Sequence, residues 1–340
     1  MLQESTAMVR ISVNEMQDRF TDILIKEGFT HEKAVQCAAV FANNSLDGVS
    51  SHGINRFPRF IEYIRNRYIN ILAEPTLQNK LGNMEQWNGN LGPGILNAIH
   101  ATKMAMKLAN ENGIGCVTLN NTNHWMRGGA YGWQAAKAGY IFIGWTNTIA
   151  NMPAWGAKDA RLGNNPLVIA MPYKDEAIVL DMAMSQYSFG AMELAVIQNK
   201  KLSVQGGFDT EGVLTDDPIA ILETRRPLPV GYWKGAGLAL LLDLLATVLS
   251  GGSSTYEISK KEIESGLSQI FIAFDTSKFG TSSAIAGMIE NIINDYHQSV
   301  VTGSTKKIIY PGEKALETRK NNLEYGIPVM QKIWNEIMKL

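Results

Sequence analysis

The stretch IGCVTLNNTNHWMRGGAYGWQAAKAGYIFIGWTN, residues Ile114–Asn147, reads as a strand, a polar loop, a helix and a second strand. Its two ends, Ile114–Leu119 and Tyr140–Asn147, are short runs of apolar, β-branched and aromatic residues, which are typical of strands. Between them, Gly129–Gly139 is rich in alanine and reads as a helix. A strand, a helix and another strand in succession predict a sheet covered by helices.

The same pattern continues downstream. Three more strand-like runs are LVIAMP from Leu167, AIVLDMA from Ala177 and SQIFIAFD from Ser268. Both chain ends read as helices instead; Ser12 and Glu15, for example, form a candidate capping box. We therefore predict an α/β domain at residues 79–307, inserted in a helical domain formed by residues 1–78 and 308–340.

Composition restricts the class of protein. The 340 residues are 45% hydrophobic and 19% charged, with a formal net charge of -1, which is typical of a soluble globular protein. A chain with this balance lacks the excess of basic residues that would attract nucleic acid or an anionic membrane. Two cysteines cannot build a disulfide framework, and the apolar run Leu238–Leu249 is shorter than the roughly 20 residues of a membrane span. We expect a cytoplasmic protein without nucleic-acid or membrane partners.

Several familiar motifs are absent from the sequence. No G-x-G-x-x-G follows a strand, and neither a Walker A motif nor a G-x-S-x-G nucleophile elbow occurs. No histidine or cysteine cluster has the spacing of metal ligands, so we expect no metal site. An active site would therefore consist of scattered polar groups on loops.

Two histidine segments stand out. His52 lies in SSHGINRF with Arg56 four residues later, and His124 lies in NNTNHWMRGG with Arg127 three residues later. His124 also follows a predicted strand, where α/β proteins place ligands. Either histidine alone is more often structural, but two such segments in one chain favour a functional site.

Three further segments carry polar groups that suggest either a ligand or a structural role. Asp181 is a lone charge in an apolar strand and needs a structural partner or a ligand. Lys234 precedes a very apolar helix, whose N-terminus suits a phosphate, although an ordinary loop lysine is the alternative. Asn164–Pro166 reads as a turn whose amides could bind a ligand.

Together these segments resemble the malate/L-lactate dehydrogenase family, which includes sulfolactate and ureidoglycolate dehydrogenases. The resemblance covers most of the chain, in the family's order. The matching stretches are SHGINRFPRF from Ser51, NHWMRGGAYGWQAAKAGYI from Asn123, GNNPL from Gly163, DMAMS from Asp181 and GYWKG from Gly231.

The resemblance implies a homodimeric oxidoreductase with a non-Rossmann, mixed-sheet fold. It implies NADH as cofactor (NAD+ in the reverse direction), with NADPH as the alternative, and a 2-keto acid as substrate. His52 matches the acid–base catalyst, His124 a histidine that some members use for that role, and Arg56 a residue that binds the substrate carboxylate. The implied cofactor-binding positions are Thr148, Ala177, Ile178, Val179, Leu180, Asp181, Met182, Ala183, Trp233, Lys234, Gly312, Glu313 and Lys314.

Two positions separate this chain from other members. Asn164 stands where many relatives have threonine before Asn-Pro, which affects the expected cofactor geometry rather than the reaction. Trp125 stands where other branches tend to have phenylalanine. Together, the segments SHGINRFPRFI, NHWMRGG, GYWKG and GGFDTEG look closest to the branch that reduces keto acids derived from sugars. The alternatives are a malate-, lactate- or ureidoglycolate-type dehydrogenase and, from another class, a non-catalytic ligand-binding protein.

Overall fold

A computed structural model describes residues 7–303 and 307–340. The helices are α1 (Val13–Lys26), α2 (His31–Leu46), α3 (Phe57–Arg65), α4 (Gly94–Asn112), α5 (Gly129–Lys137), α6 (Phe189–Ile197), α7 (Pro218–Thr224), α8 (Trp233–Ser250), α9 (Thr255–Ile258), α10 (Ser282–His297), α11 (Glu313–Tyr325) and α12 (Gln331–Lys339). The strands are β1 (Met8–Ile11), β2 (Thr76–Leu81), β3 (Met84–Asn88), β4 (Ile114–Thr122), β5 (Tyr140–Thr146), β6 (Met152–Pro153), β7 (Ala160–Leu162), β8 (Leu167–Tyr173), β9 (Glu176–Met182), β10 (Gly207–Phe208), β11 (Leu214–Thr215), β12 (Leu267–Asp275) and β13 (Ile327–Met330).

A seven-stranded sheet in the order β2-β3-β4-β12-β5-β8-β9 forms the centre of the chain. Only the β3–β4 pair is parallel, and the other neighbours are antiparallel. The predicted mixed sheet is therefore confirmed. It lacks the parallel βαβ order of a Rossmann domain, in agreement with the missing glycine motif.

The sheet is covered by helices on both faces. Along the central strand β12, Phe271 and Ala273 pack into the cluster formed with α4 and α5, while Ile270 and Ile272 pack towards α8. This alternation follows from the period of two in a strand. Because both faces are covered, β12 carries the uninterrupted apolar run Ile270–Phe274 in place of an alternating pattern.

Helix α8 is long and apolar enough to cross a membrane by length and composition alone, although a core helix passes the same test. Here one side of it docks on the sheet, where Trp145 Nε1 donates to the Leu242 carbonyl at 3.1 Å. Asp243 accepts hydrogen bonds from Asn147 Nδ2 and from the Thr255 N–H, both at 2.9 Å. These contacts are those of a helix packed on a protein core.

The two ends of the chain meet in a separate apolar cluster. Strand β1 pairs antiparallel with β13, and side chains of α1, α2, α3 and α12 share one buried core. The predicted boundaries, residues 1–78 with 308–340 and residues 79–307, stay a prediction. Residues 1–6 and 304–306 of those ranges lie outside the described part of the chain.

Candidate active site

His52 lies in a tight turn that α2 holds in place. Its backbone carbonyl accepts a hydrogen bond from Asn44 Nδ2 at 2.9 Å, and the Ile54 N–H donates to Ser45 Oγ at 2.8 Å. Gly53 is needed there because a Cβ at this position would lie 2.2 Å from Ser45 Oγ and 2.8 Å from the Ser45 backbone nitrogen. The glycine of SHG therefore allows the turn that carries His52 to pack directly on the end of α2.

His124 lies just after β4 and has a defined proton position. The Met126 N–H donates to His124 Nδ1 at 2.9 Å. Because Nδ1 accepts, the proton of the neutral ring is on Nε2, which is left as a donor. The prediction that His124 follows the end of a strand is correct, although the strand runs to Thr122 rather than Leu119.

The fold brings the two predicted histidines together. Their ring centroids are 5.8 Å apart with an interplanar angle of 21°. Burial, followed by the charges of Arg56 and Arg127, lowers the pKa of His52 to about 4. Burial, Arg56 and His52 lower the pKa of His124 well below its ordinary value. Both rings are therefore neutral near pH 7 in the free protein.

Arg56 lies beside both histidines and lowers the pKa of each. Burial and the neighbouring charge of Arg59 lower the pKa of Arg56 itself, while Glu264 opposes this change. Within the described residues, no carboxylate lies within 4.0 Å of its guanidinium. A largely enclosed cation without a contacting counter-charge is suited to bind an anion.

A buried ion network that was not predicted supports this region. Asp47, at the end of α2, accepts hydrogen bonds from Arg127 and, at 2.7 Å, from Arg319 Nε in α11. Arg127 also lies over the Trp133 ring, and its Nε is 3.9 Å from Asp181 Oδ2. The network thus links α2 and α11 to the loop that carries His124 and to the edge strand β9.

The segments predicted to bind the cofactor are in contact with one another. On β9, the Val179 N–H donates to the Pro311 carbonyl at 3.0 Å, directly before Gly312. Gly312 has a φ of +97°, and a Cβ there would lie 3.1 Å from the Val179 nitrogen. The segments Ala177–Ala183 and Gly312–Lys314 thus adjoin each other at Val179.

A second set of contacts joins Thr148 and the start of α8 to Met184, directly after Ala177–Ala183. The Met184 N–H donates to the Asn164 carbonyl at 2.7 Å, and the Val230 N–H donates to the Met184 carbonyl at 2.8 Å. Thr148 Oγ1 lies 3.2 Å from Asn164 Oδ1. Val230 leads into Trp233 and Lys234 in the first turn of α8.

The side chains of two residues predicted to bind the cofactor, Asp181 and Glu313, form hydrogen bonds within the protein. Asp181 Oδ2 accepts the Gly129 N–H at 2.8 Å, which supplies the structural partner expected for this carboxylate. Glu313 accepts hydrogen bonds from Lys307, from His297 at 3.1 Å and from the Tyr310 N–H at 3.1 Å. We expect Glu313 to act through its backbone at the start of α11.

Glu264 is a candidate site residue that sequence reasoning missed. Its Oε2 accepts the Ile149 N–H at 3.0 Å, and it lines one pocket with Arg56 and His124. Burial raises the pKa of Glu264, and the Ile149 N–H, Arg56 and Arg59 oppose this increase. Glu264 lies in an irregular loop before β12, and no motif in the sequence draws attention to it.

Comparisons with known proteins agree with this architecture. A profile of the malate/L-lactate dehydrogenase family matches residues 11–338. The 2,3-diketo-L-gulonate reductase of Klebsiella pneumoniae is 42% identical over 333 residues, covering 98% of this chain and 100% of the relative.

Two solved structures show the same fold. The malate dehydrogenase of Entamoeba histolytica has a TM-score of 0.92 at 25% identity, covering 98% of this chain and 97% of its own. The sulfolactate dehydrogenase of Methanocaldococcus jannaschii has a TM-score of 0.86 at 26% identity, covering 97% and 96%. This chain belongs to the malate/L-lactate dehydrogenase family of oxidoreductases.

Proposed function

We propose that the protein reduces 2,3-diketo-L-gulonate to 3-keto-L-gulonate, using NADH as the hydride donor. The observation that carries this proposal is the joint placement of His52, His124 and Arg56: two imidazoles 5.8 Å apart beside a cation that no described carboxylate contacts. The choice of substrate rests on the relatives that carry this activity in their names, at 41–42% identity over the full chain.

Each of the three side chains has a role in this reaction. Arg56 binds the substrate carboxylate through two parallel hydrogen bonds, which places the adjacent keto carbon for hydride transfer. A histidine delivers a proton to the oxygen that gains charge as the carbon is reduced. His52 is our first choice for this donor, and His124, whose Nε2 carries a proton, is the competitor.

Replacing Arg56 with methionine should lower kcat/KM for 2-keto acids by about 100-fold or more, because the reacting carbon is no longer held in position. Steady-state kinetics with saturating NADH measure this effect. Arg65→Met, at the end of the helix α3 that follows Arg56, is the matched control, since Arg65 is half-exposed and pairs with Glu27. An Arg56 variant with the kinetics of the control would rule out the carboxylate clamp.

The low pKa of His52 predicts a pH dependence. In the free enzyme the protonated form of a group with a pKa of about 4 becomes about tenfold rarer with each pH unit above that value. We therefore expect kcat/KM for keto acid reduction, which needs protonated His52, to fall as the pH rises from about 5 to 8. Hydroxy acid oxidation needs the neutral form of His52, which already predominates at about pH 5, so its kcat/KM should not rise further through this group above that pH. A flat profile in the reductive direction would instead indicate the neutral His124 Nε2–H as donor.

The residues fit a dinucleotide cofactor, for which NADH is our proposal and NADPH the alternative. When bound, this group supplies the hydride. The positions Ala177–Ala183 and Gly312–Lys314 provide a close backbone surface, where a Cβ at Gly312 would crowd Val179. Lys234, exposed in the first turn of α8, is available for a phosphate charge, which a helix N-terminus also favours. Thr148 and Trp233 border the same surface.

A substrate panel tests the proposal. NADH oxidation would be followed with 2,3-diketo-L-gulonate, pyruvate, oxaloacetate and other 2-keto acids. The highest kcat/KM should be obtained with 2,3-diketo-L-gulonate. Activity confined to a simple keto acid would indicate a malate-, lactate- or ureidoglycolate-type dehydrogenase, and calorimetry without NADH binding would favour a non-catalytic homologue.

We further propose a cytoplasmic homodimer, in which a second copy covers the exposed side of α8. Leu241, Leu244 and Val248 follow one face of that helix and are 50–74% exposed, which is unusual for apolar side chains on one stripe.

Leu244→Glu should shift the protein towards monomers in sedimentation analysis, because the charge would be buried at the interface. Leu72→Glu, at an exposed leucine outside α8, should leave the assembly unchanged. A Leu244→Glu variant that stays dimeric would place the interface elsewhere.

A further inference from the structure

A small pocket adjoins the proposed catalytic residues on the side of α3. Arg56, Arg59, Tyr63, Asn123, His124 and Glu264 supply its polar lining. About 20 Å³ of it is free, which is room for one water molecule or a group of that size. Because Arg56 and His124 belong to it, a substrate held by Arg56 would extend part of its chain towards this pocket.

Glu264 gives the pocket a negative charge at a defined position. Its Oε2 accepts the Ile149 N–H at 3.0 Å, directly after Thr148, so the carboxylate is anchored to the proposed cofactor region. No hydrogen bond or ion pair with a described residue involves the other oxygen, Oε1. Arg56 and Arg59 line the same pocket, so its guanidinium groups outnumber its one carboxylate, which suits a substrate with a single carboxylate.

Asn123 supplies a second acceptor. Its Nδ2 donates to the carbonyls of Leu91 at 2.8 Å and Gly92 at 3.1 Å, which fixes the orientation of the amide. Its Oδ1 is buried and has no hydrogen-bond partner among the described residues. A buried acceptor without a donor is costly, so a donor from a ligand would stabilise it.

We propose that Glu264 and Asn123 select a substrate whose chain beyond the keto carbon carries hydroxyl groups, and that Glu264 excludes a second carboxylate. This inference rests on the proposed function and specifies its substrate class. A hydroxyl donates to the free Glu264 oxygen or to Asn123 Oδ1, whereas a second carboxylate cannot donate to either oxygen and would face the like charge of Glu264. The site therefore favours polyhydroxylated keto acids over dicarboxylates such as oxaloacetate.

The test compares hydroxypyruvate, with a hydroxyl at the chain end, and oxaloacetate, with a carboxylate. The wild type should prefer hydroxypyruvate, and Glu264→Gln should shift the ratio of the two kcat/KM values by about tenfold or more towards oxaloacetate, since a like-charge contact is removed. Glu262→Gln, at an exposed glutamate two residues away, is the matched control. A ratio within about twofold of the wild type, or an effect only on the KM for NADH, would overturn the inference.

A binding measurement separates this inference from the proposed function. Glycerate and malate, the alcohols of the same two keto acids, would be titrated into the protein with NAD+ present. Glu264→Gln should tighten malate binding relative to glycerate, and an unchanged relative affinity would overturn the inference. If 2,3-diketo-L-gulonate is not reduced but these ratios shift as expected, only the proposed substrate is wrong.

Discussion

Replacing His52 with alanine should lower kcat for keto acid reduction by about 10²–10⁴-fold and leave NADH affinity almost unchanged. The loss is expected because the imidazole would no longer deliver a proton to the developing alkoxide. NADH affinity should be preserved because the segments assigned to the cofactor, Ala177–Ala183 and Gly312–Lys314, meet on the edge strand β9 and do not include the His52 turn. Stopped-flow kinetics and calorimetric titration with NADH measure the two quantities separately.

His124→Ala is the informative companion variant. If His124 only shapes the site, its removal should reduce kcat less than the removal of His52, although the Met126 N–H would lose its acceptor. Wild-type turnover in His52→Ala, together with a large loss in His124→Ala, would transfer the proton-donor role to His124. Thermal unfolding of both variants checks that each is folded.

Replacing Asp47 with alanine should reduce the free energy of unfolding by about 3–5 kcal/mol, because two guanidinium groups would lose their shared carboxylate. The Asp47 and Arg127 side chains are only 3% and 7% exposed, so water cannot replace the lost partner of Arg127. Urea unfolding followed by far-UV circular dichroism measures the change. Activity should also fall, since Arg127 lies close enough to lower the pKa of His52.

An exposed ion pair provides the control for Asp47. Asp159 and Arg161 are paired at 2.6 Å, but their side chains are 61% and 73% exposed, and Asp159→Ala should leave the unfolding transition essentially unchanged. Asp47→Asn keeps the shape of the side chain and one acceptor oxygen, so its loss should be smaller than that of Asp47→Ala. A loss below about 1 kcal/mol in Asp47→Ala would mean that the network contributes no more than a surface pair.

The local parts of the fold could be predicted from local patterns. The predicted cap at Ser12 coincides with the observed start of α1, where the Ser12 side chain accepts the Glu15 N–H. The predicted strands from Ile114, Tyr140 and Ser268 correspond to the three adjacent central strands β4, β5 and β12. These predictions succeed because burial and capping act over a few residues.

Elements that depend on distant partners were missed. Strand β2 is exposed at every residue and shows no apolar alternation, since it lies at the edge of the sheet. Strands β1 and β13 come from opposite ends of the chain, both of which read as helices from the sequence. A pairing between two four-residue segments so far apart leaves no local signal.

The residues of the candidate site also fall into two groups, those that local sequence indicates and those that it does not. His52, His124 and Arg56 could be selected because each lies in a short polar segment with a recognisable composition. Asp47 and Glu264 could not, since their roles arise from contacts across the fold with Arg319 and Ile149. Trp125 stands where other branches of the family tend to have phenylalanine. It is buried in the apolar cluster between the sheet, α4 and α5, and it does not line the pocket formed by Arg56, His124 and Glu264.

The most direct test of the central claim is the transfer of deuterium from labelled NADH. NADH deuterated on both faces of the transferring carbon would be incubated with the enzyme and 2,3-diketo-L-gulonate, and the product would be examined by mass spectrometry and NMR. We predict a product with one deuterium, bound to the carbon next to the carboxylate, and a loss of this product in the His52→Ala variant. Product without deuterium, or no consumption of NADH despite its binding, would contradict the proposed hydride transfer.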